Sequence, residues 1–223
     1  MTGWNTIEEM FAALHSAKEK YIILRNYEEI DSVNFYSSGH ADIDFLAYSS
    51  KHFAKLIHAY PRFVSDDGIH YKVLIAGTEV VIDVRSVGDG YYDANWERAL
   101  LHKRTLFDER FYIADEENYY RTLIYHAVLQ KNELGEDYFL RLNQMAEDVG
   151  VHAKTQEEHL AELQRFMKEK GYFYTIPYDI WVPLRLELVD AKMVKRQMNV
   201  RMRDVRTKLL QLGSSIKRKI LKQ

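Results

Sequence analysis

The sequence predicts an α/β half followed by an all-helical half, and three observations carry that division. In Asn5 to Lys20, Ile7, Met10, Phe11 and Leu14 recur at helical spacing. Directly afterwards the pattern shortens to β-branched and aromatic runs, which recur up to Arg85. Beyond Gly88-Asp89-Gly90 the strand signals fade and helical spacing remains. With 47% hydrophobic and 29% charged residues, composition excludes a disordered or collagen-like chain. The absence of Cys excludes a disulfide scaffold, a Cys-ligated zinc site, an iron–sulfur cluster and a thiolate nucleophile. No apolar run approaches the ~18 residues of a membrane-spanning helix. The N-terminus lacks the basic start and apolar stretch of a secretory signal, so a cytoplasmic location is expected.

Taken in order, Thr6 and Glu9 read as a capping box opening the first helix. Tyr21 to Arg25 is a short buried strand, Asn26 to Ala41 a loop, and Asp42 to Tyr48 a second strand. A helix capped by Ser49 or Ser50 runs to about Tyr60. Phe63-Val64, a turn at Asp66-Asp67-Gly68, and His70 to Ile75 read as a hairpin. After a Gly77-Thr78 turn, Glu79 to Arg85 is the clearest strand in the chain. Trp96 to Leu101, Glu116 to Lys131, Asp137 to Val149 and Gln156 to Lys170 read as helices. Tyr172 to Pro183 is an irregular crossing, and a long basic helix is expected from about Leu184 to Leu212. The expected units are an α/β core over 1–90, a helical domain over 91–183 and a basic amphipathic tail over 184–223.

Charge is divided unevenly. Ala191 to Gln223 holds eleven Lys/Arg and one acid, Asp204, for +10, against −12 on the first 190 residues. Met198, Met202, Val205, Leu209, Leu212, Ile216 and Ile220 form an apolar stripe between those cations. Such a helix packs on its own acidic body, pairs with another protomer, or lies on an anionic membrane surface, the last fitting best from Ser214 onward. The tail is short of aromatic residues, which argues against specific nucleic-acid binding.

Alternation along a strand places Asp42 and Asp44 on one face, opposite Ile43 and Phe45. Two carboxylates side by side at a buried strand repel each other and lose hydration, and a hard divalent ion neutralises such a pair. Asp83 poses the same question inside Val80-Val81-Ile82-Asp83-Val84. If the two strands are neighbours, three carboxylates converge on a site suited to Mg²⁺ or Mn²⁺ and a triphosphate. The alternative has Asp42 capping a loop and Asp83 pairing with Arg85 or Arg25.

A helix, then Tyr21-Ile22-Ile23-Leu24-Arg25-Asn26, then Gly39-His40-Ala41-Asp42-Ile43-Asp44-Phe45-Leu46, then Val81-Ile82-Asp83-Val84, resembles the DNA polymerase β-like nucleotidyltransferase superfamily. The flavour is similar to bacterial nucleotidyltransferase-like proteins, some associated with surface-polysaccharide genes. The resemblance spans about residues 5–90, and more loosely the helices to about 135. It implies a mixed sheet flanked by helices, with Asp42 and Asp44 as paired metal ligands. Asp83 would be the third carboxylate, able to accept the proton of an attacking hydroxyl. The superfamily usually has Gly-Ser after the first strand to hold nucleotide phosphates, where this chain has Arg25-Asn26. Arg25 or Arg85 would then meet phosphate by its guanidinium, with Ser37, Ser38 and His40 as further contacts.

The resemblance therefore implies a Mg²⁺- or Mn²⁺-dependent enzyme. It would transfer a nucleotidyl or phosphoryl group from a nucleoside triphosphate to a hydroxyl or phosphate acceptor, a sugar among the candidates. The missing Gly-Ser opens a second reading, a degenerate nucleotidyltransferase fold acting as a binding or regulatory module, with the tail as its interaction arm. Arg121 and His126 have the Arg-x4-His spacing of HEPN-type ribonucleases of toxin–antitoxin systems, a third and weaker reading.

Overall fold

A seven-stranded mixed sheet between two layers of helices organises the computed structural model, which describes residues 3–30, 42–64 and 67–195. Helix α1 (Ile7–Ser16) starts at Thr6, whose hydroxyl accepts from Glu9 N at 3.2 Å. The Glu9 carboxylate accepts from Asn5 N at 2.9 Å, so the expected capping box closes one residue further out. Strand β1 (Tyr21–Ile23) is wholly buried, and β2 (Asp42–Ala47) follows as its antiparallel neighbour. Helix α2 (Ser50–Leu56) is capped by Ser49. Strand β3 (Tyr60–Pro61), rather than Phe63-Val64, is the hairpin partner of β4 (His70–Ile75). Pro61 lies on the sheet edge, where a missing N–H leaves no ladder bond unmade. Ala76 and Gly77, with φ of 49° and 78°, turn β4 into β5 (Thr78–Ser86) by the left-handed backbone that a two-residue hairpin requires.

Helix α3 (Ala94–His102) precedes a hairpin of β6 (Thr105–Phe107) and β7 (Phe111–Ile113), turned at Asp108 and Glu109 with φ of 48° and 57°. The sequence showed no strand here, because three-residue strands are too short to display an alternation. Helix α4 (Glu116–Ile124) runs directly into a π turn at Tyr125–Leu129. Helix α5 (Glu136–Asp148) and helix α6 (Gln156–Lys170) complete the second helical layer. The latter has a full capping box at Thr155 and Glu158 and a Gly171 cap at φ 68°. Strand β8 (Tyr174–Thr175) pairs in parallel with β9 (Val194–Lys195).

The long basic helix expected from Leu184 does not begin there. Residues 184–195 form 3₁₀ turns at Leu186–Leu188 and Ala191–Met193, then β9. Leu184, Leu188, Val189, Met193 and Val194 pack on the helical layer, and Arg185 N donates to Leu129 O at 2.9 Å. Side-chain burial and backbone donors are thus spent on tertiary partners, and local helix spacing loses. The stripe from Met198 to Ile220 and the Ser214 or Ser215 cap lie outside the described residues. Among the described residues, no helix is long and apolar enough to cross a membrane.

Strand order is β3-β4-β5-β2-β1-β7-β6, with β2 parallel to β5 and β1 parallel to β7. One face buries Ile43, Phe45, Ala47, Ile82 and Val84 against α1 and α2. The other buries Ile22, Leu24 and Leu46 against Tyr91, Tyr92, Trp96 and the later helices. Phe45 is fully buried, with its ring 4.8 Å from Phe53 and 6.0 Å from Tyr21. Phe45→Ala is expected to cost about 3–5 kcal/mol, read as a lower urea midpoint at an unchanged slope.

Candidate metal centre

Strand parity decides which carboxylates meet. On β2, Ile43 and Phe45 point to the α1/α2 layer, so Asp42 and Asp44 occupy the opposite face. On β5, Ile82 and Val84 do the same, which leaves Asp83 and Arg85 beside them. The parallel register sets Asp44 directly opposite Asp83. Asp42, Asp44 and Asp83 each offer an oxygen within 4.8 Å of the others. Asp42 is exposed at the start of its strand, whereas Asp44 and Asp83 are only 6% and 8% exposed.

Two arginines answer that negative charge, each only in part. Arg25 Nη2 lies 2.9 Å from Asp44 Oδ2, and its Nη1 donates to Tyr91 Oη at 2.8 Å. Arg85 Nη1 donates to Asp179 Oδ2 at 2.7 Å, while its Nη2 is 3.5 Å from Asp83 Oδ2. The ring of Tyr91 lies under Arg85, with Cζ 4.6 Å from the centroid. Four carboxylates face two guanidinium groups, so the cluster keeps a negative excess. Desolvation and then the Asp44 charge push the Asp83 carboxyl up to about 6, against the opposing pull of Arg85 and His70. Desolvation and the Asp44 charge also raise Asp42.

Asp83 Oδ1 is buried and has no hydrogen-bond partner among the described residues. A buried carboxylate oxygen left unmatched is costly, and a cation satisfies it. With three hard oxygen donors converging, the residues present fit Mg²⁺ or Mn²⁺.

The residues singled out in the sequence divide into three groups. Asp42, Asp44 and Asp83 are brought together, with Arg25 and Arg85 against them. Ser37, Ser38 and His40 lie outside the described residues. Arg121 and His126 address separate partners. Arg121 pairs with Glu162 at 3.1 Å and donates to Glu117 O at 2.8 Å. His126 Nδ1 sits 3.4 Å from Gln130 Oε1 and 3.5 Å from Tyr91 Oη. Burial, then the Arg25 charge, drives the His126 pKa well down, so it is neutral. These contacts give both residues structural partners.

Sequence reading missed Tyr91, His70, Asp67 and Asp179. His70 registers with Asp83 across β4 and β5, so alternation carried outward by one strand would have found it. Asp67 Oδ2 lies 2.6 Å from His70 Nδ1, and His70 Nε2 stands 3.7 Å from Asp83 Oδ2 and 3.5 Å from Asp179 Oδ2. Asp179 comes from the irregular crossing, where no local pattern marks it. That crossing is fastened by Tyr178 N to Asp89 O at 2.7 Å and by Thr175 Oγ1 to Gly90 O at 3.0 Å.

No protein-family model matches the chain, and no curated protein matches it significantly. Among solved structures, one match is an antigenic nucleotidyltransferase-like protein from Paracoccidioides brasiliensis. The similarity covers 74% of this chain and 87% of that one, at 14% identity and a TM-score of 0.43.

The Asp67–His70 pair makes a prediction in pH. Burial disfavours the His70 cation, but the Asp67 hydrogen bond and the charges of Asp83 and Asp179 outweigh it and raise its pKa. Burial likewise disfavours the Asp67 anion, but the His70 bond and two backbone N–H groups lower its pKa to about 2. The depressed Asp67 contributes stability above pH 3.8 that is lost as pH falls through about 2. The raised His70 contributes stability below pH 6.5 that is lost as pH rises through its folded value. Asp67→Asn keeps Oδ1, which accepts from Ile69 N and His70 N, and removes the charge together with the Oδ2 acceptor facing His70 Nδ1. Its stability deficit should be largest between those limits, on the order of 2 kcal/mol, and shrink on either side in denaturation curves taken from pH 2 to 9. A deficit independent of pH would contradict the pairing.

Proposed function

We propose that the protein is a Mg²⁺- or Mn²⁺-dependent transferase. It would move a nucleotidyl or related phosphoryl group from a nucleoside triphosphate to a hydroxyl or phosphate acceptor. The observation that supports it is the convergence of Asp42, Asp44 and Asp83 within 4.8 Å, with Asp83 Oδ1 unmatched in a buried position. A cation bound there would neutralise the phosphates and stabilise the charge that develops on them.

The rest of the chemistry falls to side chains of the chain itself. Asp42, exposed at the mouth, and Asp44, buried below it, would hold the cation from β2. Asp83 would hold it from β5 and accept the proton of the attacking hydroxyl. Arg25 fixes the orientation of Asp44 through its 2.9 Å ion pair and would add positive charge toward the phosphates. Arg85, buried behind Asp83, would add positive charge to the floor of the site. A sugar hydroxyl is the acceptor that the resemblance implies, and sugars and sugar phosphates are the first acceptors to screen.

One observation favours a second reading, a binding or regulatory module. Arg25 stands where the superfamily usually has Gly-Ser, and it is committed to Asp44. Thermal shift with Mg²⁺ or Mn²⁺ and each common nucleoside triphosphate separates the two. Binding at a hundred times Kd stabilises by about 2.7 kcal/mol, a readily measured rise in Tm. Asp42→Asn is the control of choice, because Asp42 is exposed and removing its charge relieves repulsion without breaking an ion pair among the described residues. The variant should lose the metal–nucleotide shift and be as stable as the wild type without ligand, or more so. Asp44→Asn is a poorer control, since it strands the buried Arg25. A metal shift without any nucleotide shift or transfer supports the module; no metal shift at all sinks both readings of the carboxylate site.

A further inference from the structure

We propose that Asp179 is a positioning residue for the metal centre: it draws Arg85 off Asp83 and so keeps Asp83 free to bind a divalent cation. The inference rests on the carboxylate cluster being a cation site, and it adds a residue from the C-terminal crossing that no motif marks.

The geometry is an unequal competition. Arg85 and Asp83 are two residues apart on one strand and share one sheet face, so a direct ion pair is the default outcome for them. Instead, Arg85 Nη1 is 2.7 Å from Asp179 Oδ2, and the Arg85–Asp83 approach stays at 3.5 Å. Tyr91 holds the guanidinium from its face, with Cζ 4.6 Å from the ring centroid. Arg85 and Asp179 are each 3% exposed in their side chains, so the pair is desolvated and its geometry over-determined. Asp179 also holds His70 Nε2 at 3.5 Å, slightly closer than Asp83 does at 3.7 Å. Both cationic neighbours of Asp83 thus lean toward Asp179. The consequence is visible at Asp83 itself, whose Oδ1 has no donor among the described residues although it is buried beside an arginine.

Without the Asp179 charge, Asp83 becomes the nearest carboxylate to Arg85. A close Arg85–Asp83 pair would then occupy the oxygens that a cation needs, and metal affinity would fall. Asp179→Asn keeps Oδ1, which accepts from Trp181 N at 2.9 Å, so the local turn survives, and it turns the Oδ2 that holds Arg85 into an amide NH₂, leaving the guanidinium to Asp83. If Asp179 acts through Arg85, deleting the competitor as well must restore binding.

The test is Mn²⁺ binding to the full chain, followed by the loss of the free-ion electron paramagnetic resonance signal, with folding checked by circular dichroism. Asp179→Asn should weaken Mn²⁺ binding at least fivefold. Arg85→Gln combined with Asp179→Asn should return the affinity to within twofold of the wild type, or make it tighter. Asp179→Asn binding as well as the wild type would overturn the proposal alone and leave the metal-site reading in place. The double variant binding as weakly as the single one would also overturn it, because Asp179 would then be merely structural. If Asp179→Asn does not fold, Asp179→Ser, whose hydroxyl accepts from Trp181 N in its place, is compared with Arg85→Gln/Asp179→Ser under the same two criteria. Wild-type protein that binds no Mn²⁺ would overturn both this proposal and the metal-site reading.

Discussion

The register of β2 against β5 places Asp44 opposite Asp83 inside a sheet, where both carboxylates are largely cut off from water. Like charges buried side by side are unfavourable in electrostatics and in solvation together. Much of what surrounds the sheet reads as a response to that constraint. Arg25 arrives from the end of β1, Arg85 from β5 itself, His70 from β4, and Asp179 from a segment ninety-odd residues away in sequence. No cation in this set has a single partner: Arg25 is divided between Asp44 and Tyr91 Oη, Arg85 between Asp179 and Asp83, and His70 among Asp67, Asp83 and Asp179. A residual negative charge is left at the open side of the cluster, where Asp42 is exposed.

Tyr91 joins the two arginines. Its hydroxyl accepts from Arg25 and its ring carries Arg85, so one buried side chain serves both guanidinium groups by different physics. The loop that carries it is itself pinned. Glu97, fully buried, accepts from Gly88 N at 2.6 Å and from Tyr92 N at 3.0 Å, and Asp89 accepts from Ser86 N and Tyr91 N. The helical layer closes over this loop through the π turn, where Gln130 Nε2 donates to Tyr91 O at 3.2 Å and neutral His126 reaches its hydroxyl. A π turn widens the helix by one residue, and here the residues it displaces are those that brace the site.

Legibility in the sequence followed range. Asp42, Asp44 and Asp83 stood out because a charge in a short apolar run is an anomaly visible within five residues. Their shared face followed from strand parity. His70 was within the same logic but sat at the start of a strand whose partner was misassigned to Phe63-Val64, when Tyr60–Pro61 takes that place. Strand β6 escaped because three residues show no alternation, and β7 and the 3₁₀ turns after Leu184 because their backbone is fixed by distant partners: Ile23 across from Ile113, and Leu129 O for Arg185 N.

By itself, the sequence determined the alternation of layers, the helix caps at Thr6 and Ser49, and which faces of β2 and β5 carry charge, since these depend on neighbours within a turn or a strand. Only the tertiary structure decided which cation faces which carboxylate. Arg25 on Asp44, and Arg85 drawn to Asp179, depend on distances of a few ångströms between segments that share no local pattern. Ion-pair energy falls with separation and rises with burial, and both quantities exist only after the chain has packed.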